Sequence, residues 1–68
     1  MRFHLEKNGE RIAPQLTPGL SPEWEIGDLD DAMWAALETS KVLSDELETV
    51  VVSVTDENGE SHALIAAP

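Results

Sequence analysis

The sequence contains no cysteine, only four basic residues and no long apolar run. Without cysteine, the chain can form neither disulfide bonds nor zinc sites with thiolate ligands. No apolar segment approaches the roughly 18 residues of a membrane-spanning helix. The N-terminal residues MRFHLEKNGE also lack the apolar core of a secretory signal. These absences predict a soluble, cytoplasmic protein.

Negative charge is the dominant feature of the composition. The 68 residues include 14 acidic and 4 basic side chains, a net charge of −10. Residues 12–68 hold only Lys41 against 12 acids, a net of 1 − 12 = −11. Such a surface repels nucleic acids and anionic membranes, and it attracts basic proteins and speeds their encounter at low salt. The alternative is that the acidity serves only the solubility of a small domain.

Residues 2–16 have the pattern of a β-hairpin. Apolar and polar side chains alternate on both sides of Asn8-Gly9, and this dipeptide favours a type I′ turn because both positions need positive φ. A two-residue loop sets three opposite pairs: Lys7 with Glu10, Glu6 with Arg11, and Leu5 with Ile12. Two of these pairs are charge-complementary, which supports the register. Pro14 lacks an N–H donor, so the second strand is expected at an edge of the sheet.

A second hairpin is predicted over residues 49–67. Its first strand is rich in β-branched residues, and Asn58-Gly59 supplies the loop. This register places Glu57 opposite Glu60, a like-charge pair that disfavours the hairpin. It also assigns six side chains to the face away from the core. These side chains are Val51, Ser53, Thr55, His62, Leu64 and Ala66.

A linker over residues 17–27 and a helix over residues 28–44 separate the hairpins. The linker is rich in turn-forming residues, and Glu23–Ile26 is a candidate for a short third strand. Asp28 is the expected N-cap, and acids in the first helical turn suit the helix dipole. At 100° per residue, one stripe of the helix is predicted to pack on the sheet. It comprises Leu29, Met33, Ala36, Leu37, Ser40 and Leu43.

Trp34 falls on the polar side of this helix, beside Asp30. Two explanations fit the pattern. The linker covers the indole ring, or the ring is exposed and is a candidate hot spot for binding a partner. Together, the elements predict one α+β domain over residues 1–68, with the order ββ(β)αββ and an antiparallel sheet carrying the helix on one face.

An enzyme is not expected. His4 and His62 fall on non-core strand faces, no serine has a nucleophile motif around it, and no cofactor motif is present. A metal site built from these two histidines would require neighbouring strands, and lone surface histidines are usually unliganded. The acids at the start of the helix resemble a calcium loop, but Met33 and Thr39 replace its glycine and glutamate. We therefore predict no metal and no cofactor.

The first two-thirds of the chain resembles HicB-type antitoxins. The similar residues are Phe3, Glu6-Lys7-x-Gly9, Pro18-Gly19 and Gly27-Asp28-Leu29-Asp30-Asp31-Ala32. The resemblance covers residues 3 to about 44 and implies a ββ-β-α-β order and a protein that occludes a toxin ribonuclease. Residues 11–15 lack the family's usual aromatic–glycine pattern, and its separate DNA-binding domain is absent.

In size and charge, the chain is also similar to small acidic phage proteins, such as anti-CRISPRs and other DNA mimics. This similarity is to a class and not to a motif. It implies carboxylates that stand in for phosphates on a partner's basic groove, and cytoplasmic action in the producing or infected cell. Both resemblances imply an acidic surface that covers a basic nucleic-acid-binding protein.

The sequence thus predicts a non-enzymatic, acidic inhibitor that binds a basic nucleic-acid-binding protein, and that binds neither nucleic acid nor membrane. The predicted contacts are Asp30, Asp31, Trp34, Glu38 and Asp45 on the helix side, Glu23 and Glu25 in the linker, and Asp56, Glu57 and Glu60 at the second turn. A self-associating domain without inhibitory role is the alternative. Its predicted dimer face comprises Val51, Leu64 and Ala66.

Overall fold

The fold was obtained as a computed structural model that describes residues 1–15, 25–44 and 48–68. The elements are β1 (Phe3–Lys7), β2 (Glu10–Ile12), α1 (Leu29–Leu43), β3 (Val50–Asp56) and β4 (Ser61–Ala67). The strands form one antiparallel sheet in the order β2-β1-β3-β4, which confirms the predicted α+β class. Within these ranges, no helix has the length and apolar character needed to cross a membrane.

The first hairpin has the predicted register. Leu5 lies opposite Ile12, and the two charge-complementary pairs also face each other. Asn8 and Gly9 both have positive φ, 55° and 82°, as a type I′ turn requires. Strand β2 is an edge of the sheet, as predicted from Pro14.

The pairing of β1 with β3 joins the two hairpins into one sheet. Leu5 lies opposite Val54, and Phe3 lies opposite Asp56. Phe3 also forms an isolated bridge with Ile26. The third strand predicted over residues 23–26 is therefore reduced, in the described part of the chain, to a bridge at Ile26. Glu23 and Trp24 lie outside the described residues.

The second hairpin departs from the predicted register near its turn. From Val50–Ala67 to Val54–Ala63 the pairs are as predicted, but Thr55 lies opposite Ser61, so His62 is an extra residue in β4. Such a bulge re-aims the side chains beside it. The loop closes with hydrogen bonds between Asp56 and Glu60, and between Asp56 and Gly59. The predicted pairing of Glu57 with Glu60 is therefore wrong.

The bulge also corrects the predicted position of His62. Its ring packs edge-on against the Phe3 ring at 5.3 Å between centroids, and Phe3 belongs to the core. The prediction that His62 shares a face with Val51 is therefore wrong. His4 lies opposite Thr55. It stands between the core residues Phe3 and Leu5 of β1, so its side chain is on the other face of the sheet. The two histidines thus lie on opposite faces of the sheet.

Helix α1 spans the predicted residues but is rotated about its axis. The Asp28 side chain caps it, accepting hydrogen bonds from the backbone N–H groups of Asp30 and Asp31. Its buried residues are Ala32, Ala35, Ala36, Thr39 and Ser40. Relative to the predicted stripe, this face is turned by about 60°, at 100° per residue. Met33 and Leu43 are exposed, so their predicted burial is wrong.

Small helix residues pack against large strand residues in the core. On the sheet side, the largest buried groups are Leu5, Val50, Val52 and Val54. The alanines let the helix backbone approach the sheet closely, because close-packed interiors leave little room for a longer side chain. The rotation that buries the alanines turns the longer side chains of the helix toward solvent.

Candidate functional site

The solvent-facing side of α1 carries an exposed tryptophan among acids. Trp34 is 65% exposed, which favours the explanation that the ring is available to a partner, and most of the linker lies outside the described residues. Asp30 and Asp31 are exposed, and Glu38 is half-buried. At 100° per residue, Trp34 points almost directly away from the buried alanine face. The structure therefore brings four of the predicted contacts together on one helix.

An apolar groove of about 290 Å³ lies beside Trp34. Its lining comprises Asp30, Met33, Trp34, Leu37 and Ile65. The groove lies where α1 meets β4, an edge strand of the sheet. Sequence reasoning assigned Met33 and Leu37 to the core and did not identify the groove. The signal that could have found it is the run of small residues at positions 32, 35 and 36, which marks another face as the closely packed one.

The acids of this helix face are not neutralised by ion pairs within the described residues. There, the salt bridges involve Arg2, Arg11, His4 and His62, and none reaches α1. Lys41 is the single basic residue of the helix and is exposed. The negative potential of this surface is therefore available to a basic partner. Asp45, also predicted as a contact, lies outside the described residues.

Glu25, predicted as a partner contact, lies between two arginine side chains. Its two carboxylate oxygens lie 3.4 Å from Arg2 Nη1 and 3.2 Å from Arg11 Nη2. These contacts hold Glu25, and with it the neighbouring Ile26, against the first hairpin. The predicted contact Glu25 is thus already paired with two of the four basic residues. Glu23 lies outside the described residues.

A polar network covers β1 on the face of the sheet opposite the helix. Arg11 Nη2 lies 3.0 Å from His4 Nδ1, and His4 Nε2 lies 3.0 Å from Glu6 Oε2. The neighbouring Thr55 hydroxyl, followed by His4 and Arg11, lowers the pKa of the Glu6 carboxyl. His4, Glu6 and Arg11 are thus paired with one another.

The second turn divides the three acids predicted there. Asp56 is 1% exposed, and its Oδ1 accepts hydrogen bonds from the N–H groups of Asn58 and Glu60 at 2.9 and 3.0 Å. Its Oδ2 lies 2.7 Å from His62 Nε2. This burial removes Asp56 from the predicted contact surface. Glu57 and Glu60 are exposed, and their contact with a partner stays a prediction.

One group of candidate metal ligands comes together at this turn within the described residues. Atoms of Asp56, Glu60 and His62 all lie within 4.8 Å of one another. Both Asp56 oxygens already accept hydrogen bonds that shape the loop. The turn therefore explains the cluster without a metal, and its geometry supports no catalytic assignment.

The predicted dimer face lies on the opposite side of the sheet from α1. Leu64 is 75% exposed and Val51 is 44% exposed. Ala66 lies opposite Val51 and is also exposed. Strand β4, which carries two of these residues, has no acidic or basic residue apart from His62 and contains no proline. Charges and prolines are common devices that prevent edge strands from pairing, and β4 carries neither apart from His62.

Comparison with known proteins adds no family to this description. No family model, curated protein or solved structure has a significant match to the chain. The resemblances to HicB-type antitoxins and to acidic phage inhibitors therefore stay predictions from the sequence.

Proposed function

We propose that this protein is a non-enzymatic binding module that covers the nucleic-acid-binding surface of a basic protein. The main support is the exposed Trp34 beside Asp30, Asp31 and Glu38 on one helix face. Tryptophan is enriched among the residues that dominate binding energy. Carboxylates around it attract basic side chains and orient them. The partner's basic surface would then be closed to nucleic acid.

The surrounding structure supports a rigid contact surface. Trp34 is carried by a capped helix whose other side is anchored in the core. A side chain on a packed helix needs little ordering when it binds, so less binding free energy is lost. The net charge of −10 adds long-range attraction that weakens as salt is added.

Charge reversal on the helix face tests this function. Asp30→Lys combined with Glu38→Lys should reduce capture of basic proteins from a cell lysate at least about tenfold, because it replaces attraction with repulsion. Proteins captured by the unaltered chain should be released by duplex DNA or RNA, and by raising salt from about 0.05 to 0.5 M. Mass spectrometry of the captured proteins names the partner.

The matched control is Glu10→Lys combined with Glu48→Lys, which makes the same change in net charge at two exposed positions outside the helix. Circular dichroism should show both double variants folded, and Asp30→Asn with Glu38→Gln replaces the first pair if it does not fold. Equal loss of capture in the two double variants would show that net charge alone acts. Capture that nucleic acid does not compete with would contradict the proposal.

Self-association is a second candidate, favoured by the exposure of Leu64 on β4, an edge strand without acidic residues. Two copies could pack face to face over Val51, Leu64 and Ala66, or they could pair edge to edge through β4 and extend the sheet. Because each copy carries −10, added salt should strengthen this pairing, whereas it should weaken binding to a basic partner.

The variant Leu64→Asp distinguishes the two candidates. We expect it to convert a dimer to a monomer in multi-angle light scattering, since a carboxylate in the pairing surface is desolvated without a partner. Glu57→Gln, at an exposed turn position, is the control. A monomer at about 0.5 mM protein and high salt would eliminate self-association.

A further inference from the structure

We propose that the groove beside Trp34 is a binding site for a single arginine side chain of the basic partner. This inference rests on the proposed function and specifies which chemical group the helix face recognises. The groove offers three features at once: an apolar floor, an aromatic wall and a carboxylate at the rim. The floor comprises Met33, Leu37 and Ile65, the wall is Trp34, and the rim is Asp30.

The size of the groove suits one side chain. Its volume of about 290 Å³ is at or below the lower end of the range for small-molecule pockets, roughly 300–1,000 Å³. A cofactor or a nucleotide would be only partly covered. An extended side chain entering from the α1 side of strand β4 could bury most of its length.

The rim carboxylate excludes a purely apolar occupant. Asp30 has no ion-pair partner among the described residues. An aliphatic or aromatic group placed against it would remove water from the carboxylate without replacing its hydrogen bonds, at a free-energy cost. A cation both fills the groove and pairs with the carboxylate.

Arginine satisfies the three features better than lysine. Its methylene groups can lie on the apolar floor while the planar guanidinium stacks on an indole ring and forms two hydrogen bonds with a carboxylate. The lysine ammonium is more strongly hydrated and cannot form the same planar contacts. Trp34 and Asp30 are four residues apart, so they are neighbours on the helix surface.

This pairing imitates what nucleic acid presents to the same side chain. Arginines of nucleic-acid-binding proteins stack on base faces and hydrogen-bond to anionic phosphate oxygens. Trp34 supplies an aromatic face, and Asp30 supplies anionic oxygens within one groove. A partner arginine held here is unavailable to its nucleic acid.

The test compares a nine-residue peptide containing three arginines with its lysine counterpart of equal charge. Binding is followed by NMR through the Trp34 indole N–H signal, identified by its loss in Trp34→Phe, and through the Ile65 methyl groups. We expect the arginine peptide to shift both signals and to bind at least about threefold more tightly, because the guanidinium adds planar stacking and a second hydrogen bond that the ammonium cannot form.

Three variants give the test its specificity. Trp34→Leu keeps an apolar wall and should remove the preference for arginine over lysine. Asp30→Asn should reduce the affinity for the arginine peptide several-fold. Asp31→Asn makes the same charge change at a neighbouring residue outside the groove lining, and it should have a smaller effect. Each variant is checked for an unchanged pattern of amide signals away from the groove.

Two results would overturn the arginine site. One is equal affinity for both peptides, or a preference that survives Trp34→Leu, and the other is the absence of binding by either peptide. Neither result decides the proposed function, which depends on competition by nucleic acid in the capture experiment. Failure of that competition, with the arginine preference intact, would leave an arginine-binding groove that serves another kind of partner.

Discussion

Asp56→Ala is expected to destabilise the domain more than removal of any other acidic side chain that the structure describes. The buried carboxylate accepts two backbone hydrogen bonds and one contact from His62 Nε2. Alanine removes the acceptor from these donors in a partly buried turn, and shielded donors without an acceptor cost more than the bonds themselves contribute. For a domain of this size, we expect Tm to fall by on the order of 10 °C or more.

Thermal unfolding followed by circular dichroism measures this effect. Glu57→Ala removes an exposed carboxylate from the neighbouring position and should change Tm by only a degree or two. Asp56→Asn retains one acceptor oxygen for the loop N–H groups. Its Tm should lie between those of Asp56→Ala and Glu57→Ala. A Tm for Asp56→Ala equal to that of Glu57→Ala would contradict the described role of the turn.

The same carboxylate makes stability depend on pH in acid. The contact with His62, followed by the backbone hydrogen bond from Glu60, lowers the pKa of Asp56. Because the folded pKa lies below the unfolded value of about 3.9, the stabilisation is complete above that value. It is lost as pH falls through the folded pKa. The free energy of unfolding should therefore drop below about pH 4 in the unaltered chain. In Asp56→Asn it should drop less steeply. Part of the decrease that remains comes from Glu6, whose pKa is also lowered.

Ala35→Leu should also have a large effect, because Ala35 is almost completely buried where α1 meets the sheet. Three added carbon atoms have no space there, and overpacking of this kind costs about 1–3 kcal/mol. A 68-residue domain has a total stability of about 3–10 kcal/mol. The substitution therefore removes a large part of the free energy of unfolding, although leucine itself is a good helix former.

Met33→Ala is the matched comparison, measured by urea unfolding. Met33 is 39% exposed, and the variant should lose less than about 1 kcal/mol. The helix orientation predicted from the sequence stripe requires the reverse, a costly Met33→Ala and a tolerated Ala35→Leu. The order of the two effects therefore decides which face of α1 packs on the sheet.

The parts of the fold that depend on local chemistry were predictable from the sequence. Asn8-Gly9 allows one turn type, and that turn fixes the register of the whole first hairpin. Asp28 was predictable as the N-cap, since its short side chain can reach the first N–H groups of the helix. The strand order was not predictable, because the pairing of β1 with β3 depends on contacts far apart in the sequence.

Two errors come from two simple rules. The rule that large apolar residues are buried placed Met33 in the core, although the close approach of the helix to the sheet selects alanine. The rule that side chains alternate strictly along a strand misplaced His62, because a bulge there shifts the alternation by one residue. The candidate groove depends on the first of these departures, since the rotation of the helix exposes Met33 and sets it beside Trp34 and Ile65.

The order β2-β1-β3-β4 has a consequence for how the chain folds. Each hairpin is local and can form within microseconds, but a hairpin alone is marginally stable in water. The central pair joins Phe3 to Asp56, residues 56 − 3 = 53 positions apart. Folding rates fall as contacting residues become more distant in sequence. The search that brings β1 to β3 therefore governs the time the chain needs to fold, whereas the two turns govern the faster local steps.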